Sequence, residues 1–215
     1  MRLDPAGWPF VGFAAALGIL SGVVVAWTLG AVFFLLGGFF LFFFRDPDRA
    51  TPPGAPLDDV ALSPADGRVL VAGPADPNAA PPGTWQQVSI FLSPMDVHVN
   101  RIPVSGRITR VNFTRGRFLP AYHHDAATAN ERSEVWIDHQ GQAVVARQIV
   151  GILARRVVCR VGPGAEVRAG DRFGIMKFGS RMDVFLPSTA VLRVKVGDAV
   201  RGGETVIAVL HFDHA

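Results

Sequence analysis

The chain has 215 residues, 49% of them hydrophobic and 18% charged, with a single Cys, which excludes a disordered chain, a collagen and a disulfide scaffold. Its net charge of +3 rests on 19 Arg and 2 Lys against 14 Asp and 4 Glu. No aromatic-basic module, zinc ligand set or recognition-helix pattern accompanies that charge, so nucleic acid is not an expected partner, and an anionic membrane surface or a phosphate-bearing substrate fits better.

The charged residues are unevenly spread. None lies between Asp4 and Arg45, and the apolar run from Trp8 to Phe44 is 37 residues long. As one helix it would extend about 55 Å, against a hydrocarbon core of about 30 Å. Two shorter helices with a break around Trp27 to Gly30 fit better, forming a transmembrane hairpin. A single tilted span with a buried extension is the alternative. The run continues through Phe39, Phe40, Phe42, Phe43 and Phe44 straight to Arg45, unlike a signal peptide with its small-residue cleavage site, so residues 1–45 read as a retained anchor. Arg2, Arg45 and Arg49 flank it and favour the cytoplasmic side of the cell membrane for both ends.

Pro47, Pro52, Pro53 and Pro56 cannot continue a helix and mark residues 46–60 as a semi-rigid linker. Residues 61–215 break into short β-type runs: Gly67 to Val71, Gln87 to Leu92, Gly106 to Phe113, Ser133 to Ile137, Ala143 to Ile149, Arg156 to Val161, Met182 to Leu186 and Thr205 to Leu210. Glu134 to Ile137, the turn residues 138–141 and Ala143 to Val145 form a hairpin signal. Gly73 to Gly83, with four Pro, reads as a surface loop. No sustained 3.6-residue period follows Phe44, so helices there should be few and short. Cys159, beside Val157 and Val158, reads as a reduced core residue.

Val194-Lys195-Val196-Gly197-Asp198-Ala199-Val200, then Gly202, Gly203 and Val206 to Leu210, resembles the half-barrel of lipoyl and biotinyl carrier domains. Ser63 to Val69 resembles the opening of related sandwiched barrels. The expected fold class is therefore mainly β: a barrel-sandwich catalytic domain behind an N-terminal transmembrane helical hairpin.

The sharpest local feature is Lys177-Phe178-Gly179-Ser180-Arg181-Met182-Asp183. It reads in three ways. The Gly-Ser pair can be a plain strand-joining turn. Ser180 can be a nucleophile with Lys177 as base, although three residues apart on a strand the two side chains point oppositely. Or Ser180 can attack its own preceding carbonyl, turning the Gly179 amide into an ester whose elimination and hydrolysis leave a pyruvoyl group at residue 180. Glycine suits that attack because it tolerates close approach and strained backbone.

Asp66-Gly67, Phe91 to Arg101, Asn130-Glu131-Arg132 and Phe178-Gly179-Ser180-Arg181 occur in an order and spacing that resembles phosphatidylserine decarboxylase proenzymes, in their short membrane-anchored form. The likeness spans nearly the whole chain. It implies self-cleavage between 179 and 180 into a β chain (1–179) and an α chain (180–215) that stay together as a heterodimer or a higher oligomer. It also implies a covalent pyruvoyl cofactor derived from Ser180, a Schiff base between that group and the amine of phosphatidylserine, and the products phosphatidylethanolamine and CO2.

The resemblance implies His98 as proton donor and acceptor, a role its ordinary pKa suits. Alternation puts Asp96, His98 and Asn100 on one side of an expected strand. Asp66 is implied as the group that orients a His or assists loss of the Ser180 proton. One departure stands out: longer family members carry a second His where this chain has Arg101, which leaves either His98 serving both stages or His123 or His124 supplying one. Arg101 is a candidate for the substrate phosphate or carboxylate. The segment Arg115 to His124 mixes basic and apolar residues as an interfacial loop would, with His123 and His124 as further candidate substrate contacts. No metal site is expected, because adjacent histidines point apart and no ligand set surrounds them. His139, His211 and His214 read as solvent-exposed. The competing classes are a non-enzymatic membrane adaptor on a lipoyl-like barrel, which leaves Gly179-Ser180 and the His98 segment unexplained, and a membrane serine peptidase.

Overall fold

The structure is a computed structural model that describes residues 2–152, 157–177 and 179–212. Two compact units result, residues 1–48 and 49–215. In the first, α1 (Trp8–Val24) and α2 (Trp27–Phe43) form a hairpin, and β1 (Arg2–Leu3) pairs antiparallel with β2 (Arg45–Asp46). The helices meet through small residues. A Cβ on Gly30 would sit 2.7 Å from the Gly18 carbonyl oxygen and 2.9 Å from the Gly22 Cα, so the two backbones approach as only glycine permits. That packing corrects the expected position of the break. It falls at Val25 and Ala26, and Trp27 to Gly30 belong to α2, because Gly30 is needed inside the helix at the crossing. Pro5–Val24, 20 residues, is long and apolar enough to cross a membrane; Trp27–Phe43 is apolar but shorter.

The second unit is mainly β, as expected. Its strands are β3 (Val60–Leu62), β4 (Gly67–Pro74), β5 (Trp85–Leu92), β6 (Val99–Arg101), β7 (Gly106–Thr114), β8 (Arg132–His139), β9 (Gln142–Ile149), β10 (Val157–Cys159), β11 (Glu166–Val167), β12 (Arg172–Met176), β13 (Ser180–Pro187), β14 (Val191–Leu192), β15 (Ala199–Val200) and β16 (Val206–Val209), with one short helix, α3 (Ala126–Ala129). An eight-stranded antiparallel sheet runs in the order β11-β7-β8-β9-β13-β5-β4-β15; two three-stranded sheets, β10-β12-β6 and β14-β16-β3, accompany it. The expected hairpin is β8 and β9, closed by Gln140 (φ 53°) and Gly141 (φ 83°), both positive as a tight hairpin turn needs. Arg156, placed in one expected strand, lies outside the described residues.

Period-two alternation builds the core. Met182, Val184 and Leu186 of β13 bury one face together with Val88, Ile90 and Leu92 of β5 and Val144 and Ala146 of β9, while Phe173 and Met176 of β12 pack onto the same cluster. Truncating one such residue to Ala would cost about 2–5 kcal/mol. The opposite face of the same strands is polar yet also buried. There the Arg181 Nε donates to Asp183 Oδ1 at 2.6 Å, and Arg147 pairs with Glu134 at 2.8 Å. The Arg147 Nη1 donates to the Ala79 carbonyl, which ties the Pro-rich 74–84 loop over this face. Burial lowers the Arg147 pKa, with Glu134 and Asp183 opposing that shift.

His139 is corrected. It ends β8 at 2% exposure, with Nδ1 2.6 Å from the Ser105 carbonyl oxygen and Nε2 3.0 Å from that of Asp58, so it fastens two loops to the hairpin instead of facing solvent. His211 is exposed, and His214 lies outside the described residues.

Candidate active site

The chain leaves one sheet at Met176, the end of β12, and enters another at Ser180, the start of β13. Gly179 stands at that entry with φ +71°, a left-handed conformation that costs other residues about 1–2 kcal/mol. Ser180 follows as the first residue of β13, paired in register with Leu92 at the end of β5. Its side chain shares the core face of Met182 and is fully buried. The Oγ has no hydrogen-bond partner among the described residues. A buried hydroxyl without a partner costs about 1–3 kcal/mol, so the fold bears a penalty at the one hydroxyl that follows Gly179.

His98 is fully buried. The sequence placed it by alternation along a strand reaching back to Asp96; instead the strand begins at Val99, and Asp96 belongs to a turn. There the Asp96 Oδ2 accepts the Ser93 N–H at 2.8 Å and the Ser93 hydroxyl at 2.7 Å. The turn places the Asp96 carbonyl oxygen 3.0 Å from His98 Nδ1. A carbonyl can only accept, so Nδ1 carries the proton and Nε2 the lone pair of the neutral ring. The Met176 N–H donates to the His98 carbonyl at 3.3 Å. Segments 92–98 and 176–180 are thus tied at both ends, Leu92 to Ser180 and His98 to Met176, which draws the buried imidazole and the buried hydroxyl into one region of the fold.

Asp66 stands differently from what the triad analogy suggested. Its Oδ2 accepts from the Arg49 Nη2 at 2.6 Å and its Oδ1 from the Gly202 N–H at 2.8 Å, so its hydrogen bonds run to Arg49 and Gly202 rather than to His98 or Ser180. The next residue, Gly67, has φ +149°, and a Cβ there would collide with the Phe91 carbonyl. Asp66, Gly67 and Asp96 line a cleft of about 530 Å³ beside β5.

Arg101 is 6% exposed, and its Nη1 donates to the Gly170 carbonyl at 2.9 Å; with Arg49 and Arg172 it lines a cleft of about 250 Å³. His123 and His124 are exposed, and His124 stands 3.9 Å from Asp76 at the lip of a cleft of about 330 Å³ that also holds Arg181. A fourth opening, about 360 Å³ and apolar, is lined by Phe91, Pro94, Pro120, Tyr122, Ile152 and Gly179. Among the described residues no cluster of three or more His, Cys, Asp or Glu could hold a metal ion.

The sequence profile of the phosphatidylserine decarboxylase family matches residues 36–208. The chain belongs to this family. It is 45% identical over 187 residues to the phosphatidylserine decarboxylase proenzyme of Chlorobium chlorochromatii, covering 86% of this chain and 85% of that one. The proenzyme of the same name from Nitratidesulfovibrio vulgaris is 40% identical over 210 residues, 97% and 94% of the two chains, and that from Nitrosomonas europaea 40% over 207 residues, 95% and 94%. Members of the phosphatidylserine decarboxylase family are carboxy-lyases, and this membership makes the chain an enzyme of phospholipid metabolism rather than an adaptor or a peptidase.

For a phosphatidylserine decarboxylase the residues the sequence did not single out are informative. Arg49 lay in the expected linker, and nothing local links it to Asp66 or to Glu204, with which it also pairs at 3.2 Å. Gln148 is the register partner of Met182 and so shares the Ser180 face; its Nε2 donates to Asn100 Oδ1 at 2.8 Å. The Asn100 Nδ2 and Gln148 Oε1 have no partner among the described residues, leaving one buried donor and one buried acceptor in the interior. Alternation had already put Asn100 on the His98 side, whereas only its polar character within an apolar strand could have marked Gln148.

Proposed function

We propose that the chain is a pyruvoyl-dependent phosphatidylserine decarboxylase that generates its prosthetic group by serinolysis at Gly179-Ser180. The observation that carries this reading is the Ser180 hydroxyl, buried and without a partner among the described residues, directly after a left-handed glycine. In the first step the Ser180 Oγ bonds to the Gly179 carbonyl carbon and gives its proton to a base. The carbon–nitrogen bond then breaks, the nitrogen takes a proton, and an ester joins the two parts. Removal of the Ser180 α-proton expels Gly179 as a carboxylate, and one water converts the remaining enamine to a ketone with release of ammonia. His98, with its lone pair on Nε2, is the base this reading assigns, and Asp66 is assigned to support the site through its contacts with Arg49 and Gly202.

The residues fit the group: a carbonyl at position 180 would start β13 on its buried face, away from bulk water. Bound there, it supplies an electron sink for the pair left when CO2 departs from phosphatidylserine, giving phosphatidylethanolamine. His98 then returns a proton to the substrate carbon. Arg101, His123 and His124 are the candidates for the headgroup.

The substrate lives in a bilayer, and this reading uses both units for that. The helices of the first expose Phe13, Leu20, Val23, Trp27 and Leu35, which suits lipid rather than water, with Arg2 and Arg45 holding the ends at the cytoplasmic face. In the second, Tyr122 and Ile152 are exposed around the apolar opening beside Gly179, the place for the lipid portion of the substrate to enter.

Intact-mass measurement of the purified wild type beside Ser180→Ala tests the proposal. Two wild-type fragments divided at 179/180, the smaller without an N-terminal amine, are expected, with one chain of 23.1 kDa in the variant. A wild type that stays one chain overturns it.

A further inference from the structure

Two glycines bracket the bond that this proposal cleaves, for different physical reasons. Gly179 is glycine because of its φ; the space around its own missing Cβ is open. Gly151 is the reverse. Its φ is not in the left-handed region, so its backbone would accept any residue, yet a Cβ built there collides with the Gly179 carbonyl oxygen and comes 3.4 Å from the Ala121 Cβ. The oxygen of the bond to be cut therefore rests against the α-carbon of a buried residue two positions past the end of β9. That resting place is rigidly related to Ser180, because Ile149 pairs in register with Arg181.

We infer that Gly151 is a positioning residue for serinolysis, resting on the function proposed above: its missing side chain lets the Gly179 carbonyl turn its oxygen toward the β9 end and so present its carbon to the Ser180 hydroxyl. Attack on a carbonyl depends on the direction from which the nucleophile meets the plane of the amide, and a displacement of about 1 Å can cost about 100-fold in rate. A methyl at Gly151 forces the oxygen away and rotates that plane. The decarboxylation step has no such requirement, since the Gly179 carbonyl is then a free carboxylate end.

The test is Gly151→Ala in the full chain, with Gly30→Ala as a matched control. Gly30 is also buried with an ordinary φ, and a Cβ there comes 2.7 Å from the Gly18 carbonyl oxygen, a backbone clash of the same kind in the helical hairpin. Chain cleavage is followed on freshly synthesised protein in detergent, with and without hydroxylamine, which cuts an ester but not an amide. Gly151→Ala is expected to melt cooperatively and to cleave about 100-fold more slowly than wild type. Hydroxylamine should bring no acceleration, because the ester has not formed. Gly30→Ala is expected to lose stability but to cleave near the wild-type rate. Wild-type cleavage by Gly151→Ala, rescue by hydroxylamine, loss of its cooperative melt, or equal slowing in Gly30→Ala would each overturn the inference. Failure of the wild type itself to cleave would instead strike the serinolysis reading, and this inference with it.

Discussion

The Arg49 guanidinium meets the Asp66 carboxylate at 2.6 Å, both side chains largely shielded from water, and this contact ties the entry of the β unit to the turn before β4. The Gly202 N–H on the second Asp66 oxygen extends the tie to the loop after β15.

A double-mutant cycle on Arg49→Met and Asp66→Asn measures what the pair contributes. Asn keeps an acceptor for Gly202 and loses the charge. A coupling of about 1–3 kcal/mol in chemical denaturation is expected for groups this shielded. Strictly additive effects would mean that the pair contributes nothing to folding and that Asp66 is free for another role.

Replacing Ser180 by Cys keeps a nucleophile at the buried start of β13. Cleavage by Ser180→Cys should proceed, slower than wild type, and end in two chains on a denaturing gel. An uncleaved Cys variant alongside a cleaving wild type would show that the site tolerates only the hydroxyl.

His98→Ala removes the ring whose Nδ1–H is directed at the Asp96 carbonyl. Release of CO2 from phosphatidylserine should fall to background, and a thermal melt should register about 1–3 kcal/mol of lost stability from the abandoned carbonyl. Normal turnover in this variant would take His98 out of the mechanism.

Burial pushes the Cys159 thiol above its ordinary range, opposed by hydrogen bonds with the Val161 carbonyl and Ser133. An acid whose folded pKa exceeds its unfolded one contributes stability below the unfolded value and loses it as pH rises toward the folded value. The half-buried thiol should react with a thiol reagent more slowly in the native protein at mildly alkaline pH than after unfolding. The decline of stability at alkaline pH should be shallower in Cys159→Ala. Fast labelling of native protein would contradict the burial argument.

Tyr122 and Ile152 both line the apolar opening beside Gly179, and both are exposed. The Tyr122→Ser, Ile152→Ser double variant should raise KM for phosphatidylserine in vesicles about tenfold, consistent with losing about 1.4 kcal/mol of apolar contact, with kcat unchanged. A short-chain soluble substrate should show little change. Equal KM values on vesicles would remove the opening from lipid entry.

Much of this fold is legible because its code is local. Alternation in residues 133–137, 143–149 and 182–186 reports strands whose two faces differ, and the Pro and Gly clusters between them report turns. The two helices are legible from the same logic, although their break is misplaced, since Gly30 serves a helix crossing that only the partner helix explains. Ser180 stands out through the glycine before it. His98 is found for a reason the structure replaces: the Ser93–Asp96 turn, not strand alternation, sets its tautomer. Arg49 and Gly151 are illegible, since each matters for a group 17 or 28 positions away in the chain, and nothing in their own neighbourhoods records that distance.

Strand β13 is flanked by β9 on one side and β5 on the other, so the segment that starts at Ser180 is the interior of the large sheet, not its border. Beyond it, β15 is laced to β4 and the β14–β16 pair to β3. A cut before Ser180 would therefore produce a nicked molecule whose 36-residue piece cannot leave without unzipping four ladders, β13 from β5 and β9, β15 from β4 and β16 from β3. The covalent bond is the least of what joins the halves there. On the serinolysis proposed above, the backbone could be given up at that point because hydrogen bonds would already make the continuity of the chain redundant.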